Sequence, residues 1–500
     1  MFEKLKSWDR PISSKKHLLL IIPLSVVVLA LIVGGIIWAS TNGDDTDHIT
    51  LEAHVPQLGT TPEPMYDPEP SYEPYEPYES YIPEPEPEPT IYTARMAFAG
   101  DIMGHIEQLN AARIEPGRYD FRYAFRYIAP YLQAADFAIG NLETTLVHPH
   151  EFRYAGWPLF RSPRGLAEAI AYAGFDYVTL GNNHIFDSFV AGIHSTREIL
   201  EYYGVGHTGT FLTRECRYET TIVEINGLRF ALISMTMHIN SLESHVYNYM
   251  YMVNIVYHDL VEQATIDYDM IRDSIARARA LDPDFIIVLP HIGIEYYGTM
   301  NRQGAGHRND TFDRTDTRWV NWMRTFHFML ESGADIVMNH HPHTLLPAEF
   351  VYITNEDGTV RRGFIAHSMA NFVSAQRTQP REASAVFYLD FERIGDGPAE
   401  ITGASFTPIW VRETDPTRLP LRCYTVIPVT SALRRIEAGY TDDFRPQDIE
   451  RLRAVHRDVT YMLYGQPIPL DYMADEYPIT RTRMIEEFPG LPLWGSLPWR

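Results

Sequence analysis

The chain has 500 residues, of which 45% are hydrophobic and 21% charged, and its formal net charge is −23 at pH 7. Such a length admits one large domain or two to three small ones. The acidic balance, with no Lys/Arg stripe and no basic arm, excludes a nucleic-acid-binding protein, and two isolated cysteines, Cys216 and Cys423, exclude a thiolate metal site while leaving a single disulfide or two free thiols open.

The charge is unevenly placed. Residues 1–16 carry five bases against two acids, and residues 40–90 carry thirteen acids with no Lys or Arg. Between them, Leu18 to Ala39 is a run of 22 residues without a charge, enough to span a hydrocarbon core of about 30 Å. Trp38 stands at its outer end, where interfacial aromatics belong, and the basic flank marks the cytoplasmic side. The run exceeds the roughly 7–15 apolar residues of a signal peptide, which favours an uncleaved anchor, although Ala39-Ser40 leaves room for cleavage. Residues 1–17 are therefore expected in the cytoplasm, 18–39 in the cell membrane as a single pass, and the rest outside.

Residues 56–89 contain eleven prolines and nine acids. Proline every second or third position blocks helix and sheet, and like charges repel, so 40–90 is expected to be a disordered, polyproline-like linker. At about 3.1 Å per residue, fifty residues reach on the order of 150 Å, which would hold a domain away from the membrane.

From Ile91 onward short apolar runs alternate with amphipathic segments. Arg95–Gly100 ends in Gly-Asp, Asp136–Gly140 in Asn-Leu-Glu, Asp176–Leu180 in Gly-Asn-Asn-His, Phe285–Leu289 in Pro-His, and Asp335–Met338 in Asn-His-His-Pro-His. Helices are expected over Arg164–Ala173, Ser188–Tyr203, Ile266–Ala280 and Thr317–Ser332. Buried strands alternating with helices make this an α/β fold, with polar residues at the carboxyl ends of five strands, where such sheets place ligands. Runs at Phe350–Thr354, Gly363–Ala366, Ala385–Phe391, Ile401–Phe406 and Cys423–Val429 suggest a second, mostly antiparallel sheet. Arg445–Leu463 reads as a helix followed by a Pro-rich tail. The main domain is expected over 91–440, with 441–500 packed on it.

The strand-end residues Asp101, Glu143, Asn183, His184, His291, His341 and His343 form a mixed nitrogen and oxygen set that suits manganese, zinc or iron. A carboxylate flanked by histidines on both sides is how a pair of divalent ions is bridged. His341-Pro342-His343 is expected to be an extended segment with both imidazoles on one side. Asp187, three residues after His184, is placed to orient that ring. His105, Ser368 and Asn371 are candidates for lining the substrate site, and Glu295 for facing the substrate. Arg161, Arg164, Arg377 and Arg381 are the candidate basic patch.

The motifs GDIM (Gly100–Met103), NLE (Asn141–Glu143), GNNHIFD (Gly181–Asp187), HIGIEY (His291–Tyr296), GADIVMNHHPH (Gly333–His343) and HSMANF (His367–Phe372) resemble, in order and spacing, those of the CapA family of poly-γ-glutamate capsule proteins. That family is similar to calcineurin-like metallophosphoesterases, and the resemblance implies a four-layer α/β/β/α sandwich, metal ligation by Asp101, Asn183, His184, His291, His341 and His343, and a bridging role for Glu143. Four departures stand out: Met103 where metallophosphoesterases carry His, with His105 two residues later; Glu143 where they carry the bridging Asp; Asn339 where Gly precedes His-His-Pro-His; and Ile292 where the family carries Trp. The implied function is metal-dependent hydrolase or transferase chemistry, with His184 as proton donor, on poly-γ-glutamate or a related anionic envelope polymer and with membrane synthase subunits as possible partners. A non-catalytic polymer- or synthase-binding scaffold and a phosphodiesterase are the alternatives.

Overall fold

The computed structural model describes residues 88–257, 266–296, 317–355, 358–377, 380–414, 423–441 and 443–484. The expected anchor, 18–39, and nearly all of the linker lie outside them. Among the described residues no helix is long and apolar enough to cross a membrane.

Two sheets organise a mixed α/β chain. The first begins with four strands, β1 (Ile91–Met103), β2 (Phe137–Glu143), β3 (Tyr177–Thr179) and β4 (Gly206–Thr208), each parallel to the next. The chain then builds the second sheet from β5 (Thr221–Ile225), β6 (Leu228–Thr236), β7 (Phe285–His291), β8 (Ile336–Met338), β9 (Ala348–Thr354) and β10 (Val360–Ala366). It returns to the first with β11 (Asn371–Val373), β12 (Ala383–Ile394), β13 (Glu400–Glu413), β14 (Tyr424–Pro428) and β15 (Tyr477–Pro478), and ends in the second with β16 (Thr482–Met484). The first sheet runs β14-β13-β12-β1-β2-β3-β4, with β11 beside β1 and β15 beside β13; the second runs β16-β9-β10-β8-β7-β6-β5.

Side-chain alternation explains why both sheets are covered. Met96 and Phe98 of β1 join one core with Phe230, Ile287, Met338 and Phe364 of the second sheet, while Ala97 and Ala99 join another with Leu166 and Ile170 of α2 (Gly165–Ala173) and Ile193 and Leu200 of α3 (Phe189–Tyr202). In β7, Phe285, Ile287 and Leu289 face the first core; Ile286 and Val288 face Ile271 and Ile275 of α4 (Tyr268–Arg279) and Phe326 and Met329 of α5 (Thr317–Glu331). Strands buried on both faces must read as unbroken apolar runs, and these do. Phe391 of β12 locks the sheets together, its ring 4.9 Å from Phe230 and 4.7 Å from Phe285. A side chain so buried contributes about 1.5–3 kcal/mol of transfer free energy.

The later strands do not form a sheet of their own. β12, β13 and β14 extend the first sheet antiparallel from β1, and β9 and β10 belong to the second. The reason is edge matching: β1 is thirteen residues long, and β12, twelve residues long, pairs with it from Ile91 to Phe98. The hairpin β5–β6 is a further element beyond the sequence expectation. Its turn is Asn226-Gly227, with φ of 50° and 83°, the left-handed pair that a two-residue hairpin requires. After α6 (Val429–Glu437), α7 (Pro446–Tyr464) packs on β12 and β13. The segment after it pairs with both sheets through β15 and β16.

Candidate metal centre

The carboxyl ends of β1, β2, β3, β7 and β8 converge where the two sheets face each other. Asp101, near the end of β1, sits level with Asn141 of β2 and Asn371 of β11. Gly100 permits this, because a Cβ there would lie 1.9 Å from the Ala370 carbonyl, the group that accepts the Asp101 backbone N–H at 2.9 Å.

Glu143 is the hub. It is fully buried and neither carboxylate oxygen has a hydrogen-bond partner. Its Oε1 lies 3.6 Å from His291 Nε2, 3.7 Å from His343 Nε2 and 3.9 Å from His184 Nε2. These separations are too long for hydrogen bonds and suit atoms around a shared ion, each about 2 Å from it. Two groups of ligand atoms share this carboxylate: Glu143, His291 and His341, and Asp101, Glu143 and His343, with the atoms of each group within 4.8 Å of one another. Asn183 joins the first group, its Oδ1 2.8 Å from His291 Nε2, which is itself 3.1 Å from His341 Nδ1.

The His341-Pro342-His343 segment is not extended. Both histidines have left-handed backbone, φ 93° and 56°. An extended segment would send both rings to one side; this turn instead delivers His341 to one group and His343 to the other. Left-handed backbone at non-glycine residues costs of order 1–3 kcal/mol and collects at functional sites. Asn339 holds the turn from below: its amide donates to Ile292 O at 2.9 Å and His367 O at 2.8 Å and accepts from Ile292 N at 3.1 Å. The Asn339 amide thus ties its own turn to the Ile292 and His367 segments.

His184 follows β3 in a turn shaped by Asn182, whose Oδ1 accepts the His184 backbone N–H at 3.1 Å. Its Nδ1 is 2.7 Å from Asp187 Oδ2, so Nδ1–H donates there and Nε2 is turned toward Glu143. Phe160 packs edge-on against the ring at 4.6 Å.

The remaining expected residues fall out differently. His105 caps α1 (Ile106–Ala112), with Nδ1 3.1 Å from Gln108 Oε1 and its ring against Phe160; it belongs to neither ligand group. Ser368 is buried, and its hydroxyl accepts Ala370 N–H at 3.2 Å, a contact within its own turn. Asn371 is buried beside His343. Glu295 is half-buried at the rim. Of the four arginines, Arg161 donates to Asp187 O, Arg164 precedes α2, and Arg377 pairs with Glu413. Arg381 alone stands against the site wall, its guanidinium 3.4 Å above the Tyr296 ring, which in turn lies 5.8 Å from His343. Cys216 and Cys423 are not joined by a disulfide.

Sequence reasoning passed over three residues here. Asn141 donates to Asp101 Oδ1 at 2.8 Å and stands 3.3 Å from His291 Nδ1; it lies in the NLE motif, where only the Glu was singled out. Asn240 accepts from Asn183 Nδ2 at 3.1 Å, fixing which end of that amide faces His291. His238 packs edge-on to His341 at 5.6 Å. Both come from the loop after β6, a strand that was not foreseen.

Electrostatics follow from burial. For Asp101 burial favours the neutral acid, but the His343 hydrogen bond and charge, with His291 and His340 beyond, prevail and bring its pKa down to about 2. Glu143 has no such help: burial, then the charges of Asp101, Glu295 and Asp187, push it well above the ordinary carboxylate range. Burial also holds His291 and His341 well below 6.5, so both stay neutral with lone pairs to give. A buried carboxylate without a donor, ringed by neutral imidazoles and an amide oxygen, is costly as it stands. These buried atoms are ones that could hold a divalent metal ion, so the donor set fits metal ligation.

Comparison with known proteins places Asp101, Glu143, Asn183, His184, His291, His341 and His343 in one matched region. The profile of the family described as "Bacterial capsule synthesis protein PGA_cap" matches residues 95–305 and 320–376. The chain is similar to the "Capsule biosynthesis protein CapA" of Bacillus anthracis, 24% identical over 304 residues, covering 59% of this chain and 63% of that protein. It is also similar to the "PGA biosynthesis protein CapA" of Bacillus subtilis (strain 168), 24% identical over 328 residues, covering 64% of this chain and 72% of that protein. The match thus spans less than two thirds of the B. anthracis protein.

Proposed function

Because the chain belongs to the bacterial capsule synthesis protein family PGA_cap, we propose that it acts in the synthesis, transfer or anchoring of an anionic envelope polymer such as poly-γ-glutamate, through hydrolase or transferase chemistry at the strand-end centre. The observation that carries this reading is Glu143, buried without a donor and shared by two ligand groups. The four-layer α/β/β/α arrangement, the anchor at 18–39, the linker at 40–90 and an extracytoplasmic domain that meets membrane synthase subunits are parts of the same proposal.

In it, Glu143, Asn183, His291 and His341 hold one ion, and Asp101, Glu143 and His343 the other, as manganese, zinc or iron. When bound, such a pair supplies a water acidified toward neutral pH and a clamp for the oxyanion of an ester or amide. The chain's own groups do the rest. Asp187 holds His184 Nδ1–H at 2.7 Å and so keeps Nε2 aimed at the centre, where a proton on it can pass to the leaving group. Phe160 and the walls of the turn exclude water behind the ring. Arg381, stacked on Tyr296, offers a cation to an acidic substrate beside the His343 half.

One observation favours the scaffold alternative. The Asp101 half has three donors, and Met103, buried nearby, supplies only a thioether; a weakly held second ion would leave a polymer-binding module. Metal analysis of the full chain decides between them, with activity measured on γ-linked glutamate polymer and on a generic phosphodiester for wild type, His341→Ala and Asp101→Asn. The enzyme reading expects two equivalents and loss of activity in both variants. Less than one equivalent in the wild type, with neither substitution changing turnover, ends it.

A further inference from the structure

Trp157 is 79% exposed, more than any other large apolar side chain among the described residues. A single apolar group at a surface is ordinary; this one is set apart by how firmly it is held and by what it is held to. It stands at the tip of a hairpin that closes between Ala155 and Arg161, with Ala155 N–H donating to Arg161 O at 3.0 Å and Arg161 N–H to Ala155 O at 2.9 Å. Gly156 seats the tip on the start of α1, where a Cβ on it would lie 2.4 Å from Ile106 N. Phe160 ties the other side: its carbonyl accepts Thr145 N–H at 3.2 Å and the Thr145 hydroxyl at 2.9 Å.

The same hairpin is fastened to the centre. Asp187 Oδ2 accepts Phe160 N–H and also holds His184 Nδ1, at 2.5 and 2.7 Å, so the tip and the proposed proton donor hang on one carboxylate oxygen. The Phe160 ring packs against both His105 and His184, with centroids 4.9 and 4.6 Å apart. Trp157 is three residues from Phe160, a span of at most about 11 Å. From His105 the rim continues toward the His343 side: Ala375 N lies 3.4 Å from His105 Nδ1, Gln376 donates to the Tyr296 hydroxyl at 3.4 Å, and Arg381 covers the Tyr296 ring. An indole and a guanidinium thus mark two ends of one rim that passes the ligand groups.

We propose that Trp157 is a substrate-contact residue, a platform for the uncharged backbone of a γ-linked glutamate chain whose carboxylate is taken by Arg381. This rests on the polymer reading of the centre. Charge decides which part of the chain meets the indole. Glu107, exposed in the first turn of α1 beside the exposed Ile106, repels a carboxylate there, whereas the amide planes and methylene pairs between carboxylates suit an apolar aromatic face. A Trp side chain has only two rotatable angles, so covering it costs little conformational entropy. Because the hairpin and His184 share Asp187 Oδ2, a chain lying on Trp157 is held in register with the proton donor.

Calorimetric titration of the full chain with a γ-linked glutamate hexamer tests this, with glutarate as a probe too short to follow the rim. Trp157→Ala is expected to weaken hexamer binding about tenfold, as for loss of an aromatic anchor, with glutarate binding, metal content and thermal unfolding unchanged. Trp157→Phe should restore most of the loss. The ratio between wild type and Trp157→Ala should persist in high salt, which screens the Arg381 contact and leaves an apolar one. Equal hexamer affinity in wild type and Trp157→Ala, or a ratio that vanishes with salt, overturns the platform while leaving the polymer reading in place. A wild type that does not bind the hexamer overturns the polymer reading and the platform with it.

Discussion

Asp101 Oδ2 and Asn371 Oδ1, level with each other on adjacent parallel strands, address the same atom, His343 Nδ1, at 3.1 and 2.9 Å. Two acceptors on one ring nitrogen assign the proton to it. The lone pair is then on Nε2, which looks toward Glu143 at 3.7 Å. The Asn371 amide is fixed by its own donations to Arg381 O at 3.0 Å and Gln376 Oε1 at 3.1 Å. Asn371 thus positions His343. Asn371→Ala is expected to weaken metal binding about 10–100-fold, as for an outer-shell partner, with the loss confined to one of two equivalents in a metal titration.

Glu143→Gln should separate metal binding from stability. In chelator, the wild type keeps a buried carboxyl whose pKa is raised, so the folded state binds the proton more tightly than the unfolded one and stability falls as pH rises from the unfolded pKa through the folded one. The glutamine variant lacks this loss. Urea unfolding of the metal-free proteins is expected to show equal stability near pH 4 and an advantage of about 1–3 kcal/mol for the variant at pH 8, while the variant holds less metal. Asp101 has the opposite sign: its stabilisation is present above the unfolded carboxylate pKa and lost as pH falls toward about 2.

Asp187→Asn tests the proton-transfer role. Burial raises the Asp187 pKa and His184 opposes this; asparagine keeps the shape but removes the charge that holds Nδ1–H. Turnover of the polymer is expected to fall about 10²–10⁴-fold with both metal equivalents retained and the acidic limb of the pH–rate profile displaced. An unchanged profile would reduce Asp187 to a structural anchor for Phe160 N–H.

The fold was legible where hydrophobic runs ended in polar clusters. All five such strands exist, and the α2, α3, α4 and α5 boundaries lie within two residues of the sequence expectation. Sheet membership was not legible, because pairing of β12 with β1 joins residues about 300 positions apart and no local pattern encodes it. β6 was missed although Asn226-Gly227 announces a hairpin, and with it went Asn240 and His238. The imidazole turn was misjudged for a physical reason: spacing of two residues predicts a common side only for extended backbone, and φ at His341 and His343 is positive.

Arg381→Ala is expected to raise KM for γ-linked glutamate polymer about tenfold while leaving turnover of a neutral ester unchanged, since a half-exposed cation acts on charged substrates. Added salt should erase the difference. Arg381→Lys restores little, because the planar stack on Tyr296 needs a guanidinium.

The last described strands also set a schedule. Tyr477–Pro478 zips onto Ser405–Phe406, and Thr482–Met484 onto Phe350–Tyr352, five positions later in a different sheet. Until that clasp forms, an unpaired β-edge at Phe350–Tyr352 stays open to wrong partners. The described fold therefore completes its native pairing only once residues 477–484 are in place, and shortening the chain to before residue 477 should yield aggregates rather than a smaller folded domain.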